Sequence, residues 1–227
     1  MNDFAALDGY LRDHPLCAAV INQLPSPPDG ADNDLCRVLA AGTDTPLHWA
    51  TLIRWVDLSL DPQVTGYSLG MARFPRRPAA RPYQTMADLK LWARTYWREA
   101  EEAMRELGAP LDQVPRINAQ GLSMPWYFLW LGATANAAAS GVGLWTGMLL
   151  WHQFSVAMVQ ACDERPSSPA PLRYVFARFE DYPTELMNAC LDLGEAGLAA
   201  GESAEDALTA AWTGMSSLKL FTAECVR

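Results

Sequence analysis

Apolar residues recur every three or four positions along most of this chain, which is the spacing of amphipathic α-helices. The clearest helix start is Thr45-Pro46, where a capping hydroxyl precedes a proline at the first helical position. We expect this helix to end at Asp61-Pro62. Its predicted buried stripe is Trp49, Leu52, Ile53, Val56 and Leu60.

A second clear helix is predicted over residues 86–107, after a start at Thr85 that resembles a capping box. Gly108 and Pro110 stop it. Its predicted buried stripe is Leu89, Trp92, Ala93, Tyr96, Ala100, Ala103 and Leu107. The proline- and arginine-rich residues 63–84 between the two helices are expected to be irregular, with a short strand pair in VTGYSLGMARF.

The centre of the chain is unusually apolar, with no formal charge from Ile117 to Cys162. Pro125 is expected to start one helix, Ser140 to Gly143 to interrupt it, and a second helix to run from Leu144 to Cys162. We interpret the pair as a buried core hairpin; the alternative is a membrane-inserted segment over 124–160, since its length is sufficient and tryptophans lie near both ends. Small residues every four positions predict close helix contacts: Gly132, Asn136 and Ser140, and Ala135, Ala139, Gly143 and Gly147.

Shorter patterns predict the helices at both ends of the chain. Residues 3–13, with Phe4, Leu7 and Leu11, form a first helix, and a second runs from Pro15 to Leu24 with Asp13 as its cap. Residues 25–34 and 163–171 are expected to be loops, and 172–179 fit either a strand or a helix. A helix from Thr184 to about Ala200 should bury Leu186, Cys190, Leu193 and Gly197. A capping box at Ser203 opens a last helix with the stripe Leu208, Ala211, Trp212, Met215 and Leu218.

These elements predict an all-α fold: one domain over 1–227, built as a bundle of about seven helices around the apolar central hairpin. The net charge of −9, from 26 acidic and 17 basic residues, argues against a nucleic-acid partner. Five scattered cysteines favour buried thiols in a reducing compartment. Because the N-terminus also lacks a signal-peptide pattern, we expect a cytoplasmic protein.

One hypothesis for function is an acidic interaction protein, such as an inhibitor, immunity protein or adaptor, that binds a basic protein. Its binding surface would be one helix face with three carboxylates and an amide at positions i, i+3, i+7 and i+10, supported by Glu202–Asp206. That face consists of Glu185, Asn188, Asp192 and Glu195.

The alternative hypothesis is a binder or enzyme for a small apolar ligand, because the chain has nine tryptophans. Its pocket would lie between the central hairpin and the helices that carry Trp49 and Trp92, with Trp126 and Trp130 in its lining. His152 would be its polar group and the candidate catalytic residue, with Ser155 one helical turn away. The sequence shows no metal-ligand spacing and identifies no cofactor.

Overall fold

The computed structural model describes residues 7–76, 78–164 and 170–227. Over these ranges the chain is all-helical, as predicted, with no strands and 74% of residues in helices. The described residues form ten α-helices where the pattern predicted about seven, together with a short 3-10 turn at Leu111–Gln113. The helices are α1 (Asp8–Leu11), α2 (Pro15–Ile21), α3 (Asp34–Ala40), α4 (Pro46–Arg73), α5 (Arg81–Glu106), α6 (Ser123–Ala133), α7 (Ala137–Glu164), α8 (Ala170–Ala177), α9 (Thr184–Ala199) and α10 (Ala204–Glu224).

Helix α4 starts where predicted but is much longer than predicted. The Thr45 hydroxyl accepts a hydrogen bond from the His48 backbone N–H, and the His48 ring accepts one from the Thr45 N–H. All five residues of the predicted stripe are buried. The predicted end at Pro62 is wrong, and so is the predicted strand pair, because the helix runs through Pro62 to Arg73. Beyond the proline the helix buries Gln63, Gly66, Tyr67 and Gly70, and this packing offsets the lost backbone hydrogen bond.

Helix α5 buries a different face from the one predicted. The buried residues are Pro82, Tyr83, Met86, Ala87, Ala93, Trp97, Ala100 and Met104. Trp92 and Tyr96 are only half-buried, and Leu107 is 63% exposed. The predicted stripe was therefore rotated about one residue around the helix axis. The predicted stop is confirmed, since Gly108 takes the left-handed conformation with φ of 74°.

The first three helices differ from the pattern in detail. Phe4 lies outside the described residues, so the predicted helix over 3–13 is tested only from Leu7 onward, where α1 covers one turn. The residue that precedes α2 is His14 rather than Asp13. Helix α3 was not predicted at all; the Asn33 side chain caps it by accepting a hydrogen bond of 2.9 Å from the Cys36 N–H.

The break in the apolar centre falls at residues 134–136 rather than at the predicted Ser140–Gly143. Two side chains accept hydrogen bonds from the first backbone N–H groups of α7. The Asn136 amide oxygen accepts from the Ala139 N–H at 2.8 Å, and the Glu202 carboxylate accepts from the Ala138 N–H at 2.7 Å. Each supplies an acceptor for an N–H that has no partner within the helix. The chain therefore starts α7 seven residues earlier than predicted.

Glycine contacts bring helix backbones together, as the spacing of small residues predicted. A Cβ added at Gly132 in α6 would lie 1.7 Å from the Gly66 carbonyl oxygen in α4. A Cβ added at Gly141 in α7 would lie 2.1 Å from the Gly194 nitrogen in α9. Neither position can hold a larger residue without moving backbone, so these glycines set the spacing of two helix pairs.

The C-terminal helices follow the pattern more closely. Residues 170–177 are helical, which resolves the ambiguity over 172–179. Helix α9 begins at Thr184 and buries all four predicted residues. The Ser203 hydroxyl caps α10 by accepting from the Asp206 N–H. The predicted burial of Trp212 in α10 is wrong, because this residue is 50% exposed.

Helix α7 packs against α8, α9 and α10, while α6 packs mainly against α4 and α10 and only weakly against α7. Among the described residues, α7 is the one helix that is long and apolar enough to span a membrane. In its most apolar stretch, 72% of the residues are buried by the rest of the chain. The apolar surface of α7 is thus covered mainly by the neighbouring helices.

Candidate functional site

The predicted acidic face on α9 makes contacts inside the molecule. The Asp192 carboxylate lies 2.9 Å from the Nε2 atom of the buried His14. Glu195 accepts hydrogen bonds from the backbone N–H groups of Leu16 and Cys17, at 3.0 and 2.9 Å. It therefore caps the N-terminus of α2, where a negative charge also favours the helix dipole.

The other two residues of that face are exposed. Glu185 forms an ion pair of 2.7 Å with Arg81, and Asn188 has no side-chain hydrogen bond within the described part of the chain. Glu202 caps α7 as described above, and Asp206 accepts from the Asn136 amide at 3.0 Å. Most of the predicted acidic surface thus stabilises helix ends and contacts between helices.

The four tryptophans predicted to line a pocket do not meet. Trp49 is buried and donates to the Asp44 carboxylate at 2.9 Å, while Trp92 packs with exposed rings at the surface. Trp126 and Trp130 are 52% and 37% exposed. These rings are therefore spread over core and surface.

His152 is half-buried and is held by the backbone. Its Nδ1 atom donates to the Phe179 carbonyl oxygen at 2.7 Å, and its ring meets the edge of Tyr182. The neighbouring Ser155 hydroxyl is buried without a hydrogen-bond partner, so the two side chains do not form a nucleophile pair. His152 does not line the apolar cavity described next.

A partly open cavity of about 20 Å³ lies where α4, α5, α6, α7 and α10 converge. That is room for about one water molecule. Most of its wall is apolar and buried, and Gly147 in α7 and Gly214 in α10 leave room there for the rings of Phe128 and Tyr127. The larger apolar side chains of the wall are Met124, Tyr127, Phe128, Met148, Leu150 and Leu218.

Three residues of this wall carry a polar group that makes no hydrogen bond with the described part of the chain. The Tyr67 hydroxyl is fully buried and makes no hydrogen bond, and the Trp151 indole N–H is likewise buried and unpaired. The Lys90 side chain makes no hydrogen bond or ion pair with the described residues; its Nζ atom lies 4.8 Å from the centroid of the Trp151 ring. Buried polar groups without partners are rare and costly, so two of them on residues beside one cavity, together with Lys90, make it the candidate binding site.

The ionisation of these groups follows from burial. Burial lowers the pKa of Lys90 to about 8, because no carboxylate compensates for the loss of water around the ammonium. Burial raises the pKa of Tyr67 well above its ordinary value, so the phenol keeps its proton and remains a donor. Lys90 is also the one residue of the wall that is only half-buried, so it connects the cavity with solvent.

Sequence reasoning missed Lys90, although the sequence carried a signal for it. The buried face of α5 runs through Met86, Ala93 and Trp97, and Lys90 occupies the place between the first two. Because the predicted stripe was rotated, it did not include this lysine. The signal was the position of Lys90, which follows Met86 by four residues and precedes Ala93 by three and therefore lies on the buried face.

Reactive thiols and a metal site have less support in the described residues. Burial raises the pKa of the thiols of Cys17, Cys190 and Cys225, and that of Cys36 to about 11, so they stay protonated at neutral pH. No group of three His, Cys, Asp or Glu within the described ranges could hold a metal ion. A more open groove of about 720 Å³ lies beside Tyr174, and its lining mixes apolar residues such as Phe179 and Leu186 with charged ones such as Arg178.

Comparison with known proteins adds no relative. No protein-family model matches the chain, and neither a curated protein nor a solved structure is significantly similar to it. The functional argument therefore rests on the geometry of the chain itself.

Proposed function

We propose that the protein binds a small, largely apolar molecule in the cavity bordered by Tyr67, Lys90 and Trp151. The observation that carries this proposal is the pair of buried polar groups without partners, on Tyr67 and Trp151, which line one apolar cavity together with Lys90. Their cost to stability is of about 1–3 kcal/mol for each unpaired buried group. A ligand that supplies the missing partners recovers that energy on binding.

The ligand's polar end is a hydrogen-bond acceptor. The phenol and the indole are donors here, the ammonium adds a positive charge, and none of the described residues that line the cavity is a carboxylate. A carboxylate or carbonyl oxygen complements this set, whereas an amine opposes it. The remaining wall is aliphatic and aromatic and suits a hydrocarbon tail.

The cavity is smaller than such a ligand, so its wall has to move. Met124 and Met148 lie in the wall, and unbranched methionine side chains adapt readily to a ligand's shape. The half-buried Lys90 side chain is the natural entry point, because the other ten residues of the wall are buried. We therefore expect ligand entry to follow movement of Lys90 and the two methionines.

This proposal keeps the small-molecule class that the aromatic content predicted and moves the pocket from His152 to Lys90. The acidic-partner hypothesis has less support, because Asp192 and Glu195 already bind groups of the same chain. We also infer one domain over 1–227 built around α7, since a single apolar core joins residues of all ten helices.

Isothermal titration calorimetry with two six-carbon ligands tests the proposal. Hexanoate should bind with a Kd of about 1 mM or tighter, and hexylamine at least about tenfold more weakly. The Tyr67→Phe variant should bind hexanoate about fivefold more weakly, because one donor is lost. The matched control Tyr174→Phe removes a hydroxyl from an exposed ring outside the cavity and should leave the affinity unchanged.

Two results would count against a ligand site here. One is equal affinity for hexanoate and hexylamine, which indicates binding by the hydrocarbon tail alone. The other is hexanoate binding that Tyr67→Phe and Tyr174→Phe weaken equally, which places the ligand elsewhere.

A further inference from the structure

Lys90 differs from the other basic residues of this chain in being an amine inside an apolar wall. The chain has fifteen arginines and only two lysines. The second lysine, Lys219, lies at the surface and pairs with Asp32 at 2.9 Å. A guanidinium does not lose its proton in proteins, whereas an amine does, so the choice of lysine permits nucleophilic chemistry.

The surroundings of Lys90 favour the neutral amine. No carboxylate of the described residues lies within ion-pair distance of its Nζ atom, and the titratable groups that line the cavity with it are the phenols of Tyr67 and Tyr127. Both phenols are buried, and burial raises their pKa. With a pKa lowered to about 8, Lys90 has a neutral fraction at pH 8 that is about a hundred times that of an ordinary lysine.

The hydroxyl of Tyr67 and the indole N–H of Trp151 can bind a carbonyl compound, which is the kind of molecule that a neutral amine attacks. An aldehyde or ketone presents one acceptor oxygen, and the free Tyr67 hydroxyl or Trp151 N–H can bind it. A hydrogen bond to that oxygen draws electrons from the carbonyl carbon and favours attack by an amine. The apolar wall then holds the rest of the molecule and limits water around the product.

We propose that the Lys90 amine forms a Schiff base with a small apolar aldehyde or ketone bound between Tyr67 and Trp151. The nitrogen lone pair attacks the carbonyl carbon, a C–N bond forms, and the carbonyl π electrons move to oxygen, which takes a proton to give a carbinolamine. The carbinolamine hydroxyl then leaves with one nitrogen proton as the C=N bond forms. In sum, the two amine hydrogens and the carbonyl oxygen leave as one water, with no oxidant or reductant.

This inference rests on the proposed ligand site and is tested by trapping the imine. The full-length protein is incubated at pH 8 with hexanal and sodium cyanoborohydride, which reduces an imine to a stable secondary amine. Peptide mapping by mass spectrometry then compares Lys90 with Lys219 in the same molecules. We expect Lys90 to be alkylated at least about tenfold faster than Lys219.

Variants and a competitor sharpen the result. Lys219→Arg should leave alkylation of Lys90 unchanged, Tyr67→Phe should slow it severalfold, and hexanoate should protect Lys90 but not Lys219. Because the comparison of the two lysines is internal to the wild-type protein, it holds even where a variant folds poorly.

Three outcomes separate the two proposals. Selective alkylation of Lys90 supports both. Hexanoate binding that needs Tyr67, without selective alkylation of Lys90, leaves the ligand site standing and overturns the Schiff base. Failure of both hexanoate binding and selective alkylation overturns both.

Discussion

The Lys90 Nζ atom lies 4.8 Å from the centroid of the Trp151 ring, and no carboxylate among the described residues pairs with it. An indole face attracts a cation, but more weakly than a carboxylate does, and it does not replace lost water. The contact with Trp151 therefore does not offset the cost of removing water from the charged form of Lys90. This relationship explains how one helix can carry a lysine in its buried stripe and why that lysine is available for chemistry.

The first prediction concerns the pH dependence of stability in a Lys90→Met variant. The folded-state pKa of Lys90, about 8, lies below its ordinary value of 10.5. The unfolded chain thus binds more protons between these values, and Lys90 destabilises the fold fully below pH 8 and progressively less up to 10.5. The wild type should gain about 1 kcal/mol relative to the variant from pH 7 to pH 10, since the half-exposed side chain is partly screened.

Urea denaturation of both proteins at several pH values measures this difference. The buried tyrosines and cysteines titrate in both proteins, so their effects cancel in the comparison. A difference that stays constant with pH, or that moves in favour of the variant as pH rises, would show that Lys90 keeps an ordinary pKa.

The second prediction contrasts two buried tyrosines. Tyr67→Phe removes a hydroxyl without a partner and should raise the free energy of unfolding by up to about 1 kcal/mol. Tyr127→Phe is the matched control, because its hydroxyl donates to the Gly143 carbonyl at 2.9 Å. That variant should lose about 1 kcal/mol. Thermal or urea unfolding gives both values, and equal losses would mean that the Tyr67 hydroxyl is hydrogen-bonded in solution.

The third prediction concerns the cap that Glu195 provides to α2. Glu195→Gln keeps an acceptor but removes the charge at the helix N-terminus, and should lower the free energy of unfolding by about 1 kcal/mol. Glu99→Gln, at an exposed site of α5, should change it by less than about 0.5 kcal/mol. Equal effects of the two variants in urea unfolding would contradict an internal role for Glu195. The outcome also matters for any partner assay that uses charge reversal on α9, since lost binding would then reflect an altered fold.

The fourth prediction concerns the contact between α4 and α6. Gly132→Ala places a methyl group 1.7 Å from the Gly66 carbonyl oxygen, so the helices must separate. The expected loss is about 3 kcal/mol. Gly9→Ala is the control, because nothing lies within 4 Å of its added methyl. A fall in Tm for Gly132→Ala that is no larger than for Gly9→Ala would mean that the two helices are farther apart.

The sequence predicted the helical class and the starts of α2, α4, α9 and α10, and its spacing of small residues predicted close helix contacts such as the one at Gly132. Helix ends were less predictable: Pro62 is a local stop signal, yet packing beyond it keeps α4 intact. The break before α7 depends on Glu202, a residue 64 positions from the N–H that it accepts. Such long-range caps leave no trace in a local pattern.

The candidate site was less predictable still. Its class, an aromatic pocket with a polar group, was predicted, but its residues were not. Tyr67 lay in a segment expected to be irregular, and Lys90 was hidden by a rotation of the predicted α5 stripe. Only the assembled helices bring Tyr67, Lys90 and Trp151 around one cavity.

A crystal structure of the protein grown with hexanoate tests the ligand site most directly. The account predicts hexanoate in the enlarged cavity, with its carboxylate within hydrogen-bond distance of the Tyr67 hydroxyl and the Lys90 Nζ atom and with Met124 and Met148 moved. Hexanoate in the groove beside Tyr174, or an unchanged cavity at saturating hexanoate, would contradict it.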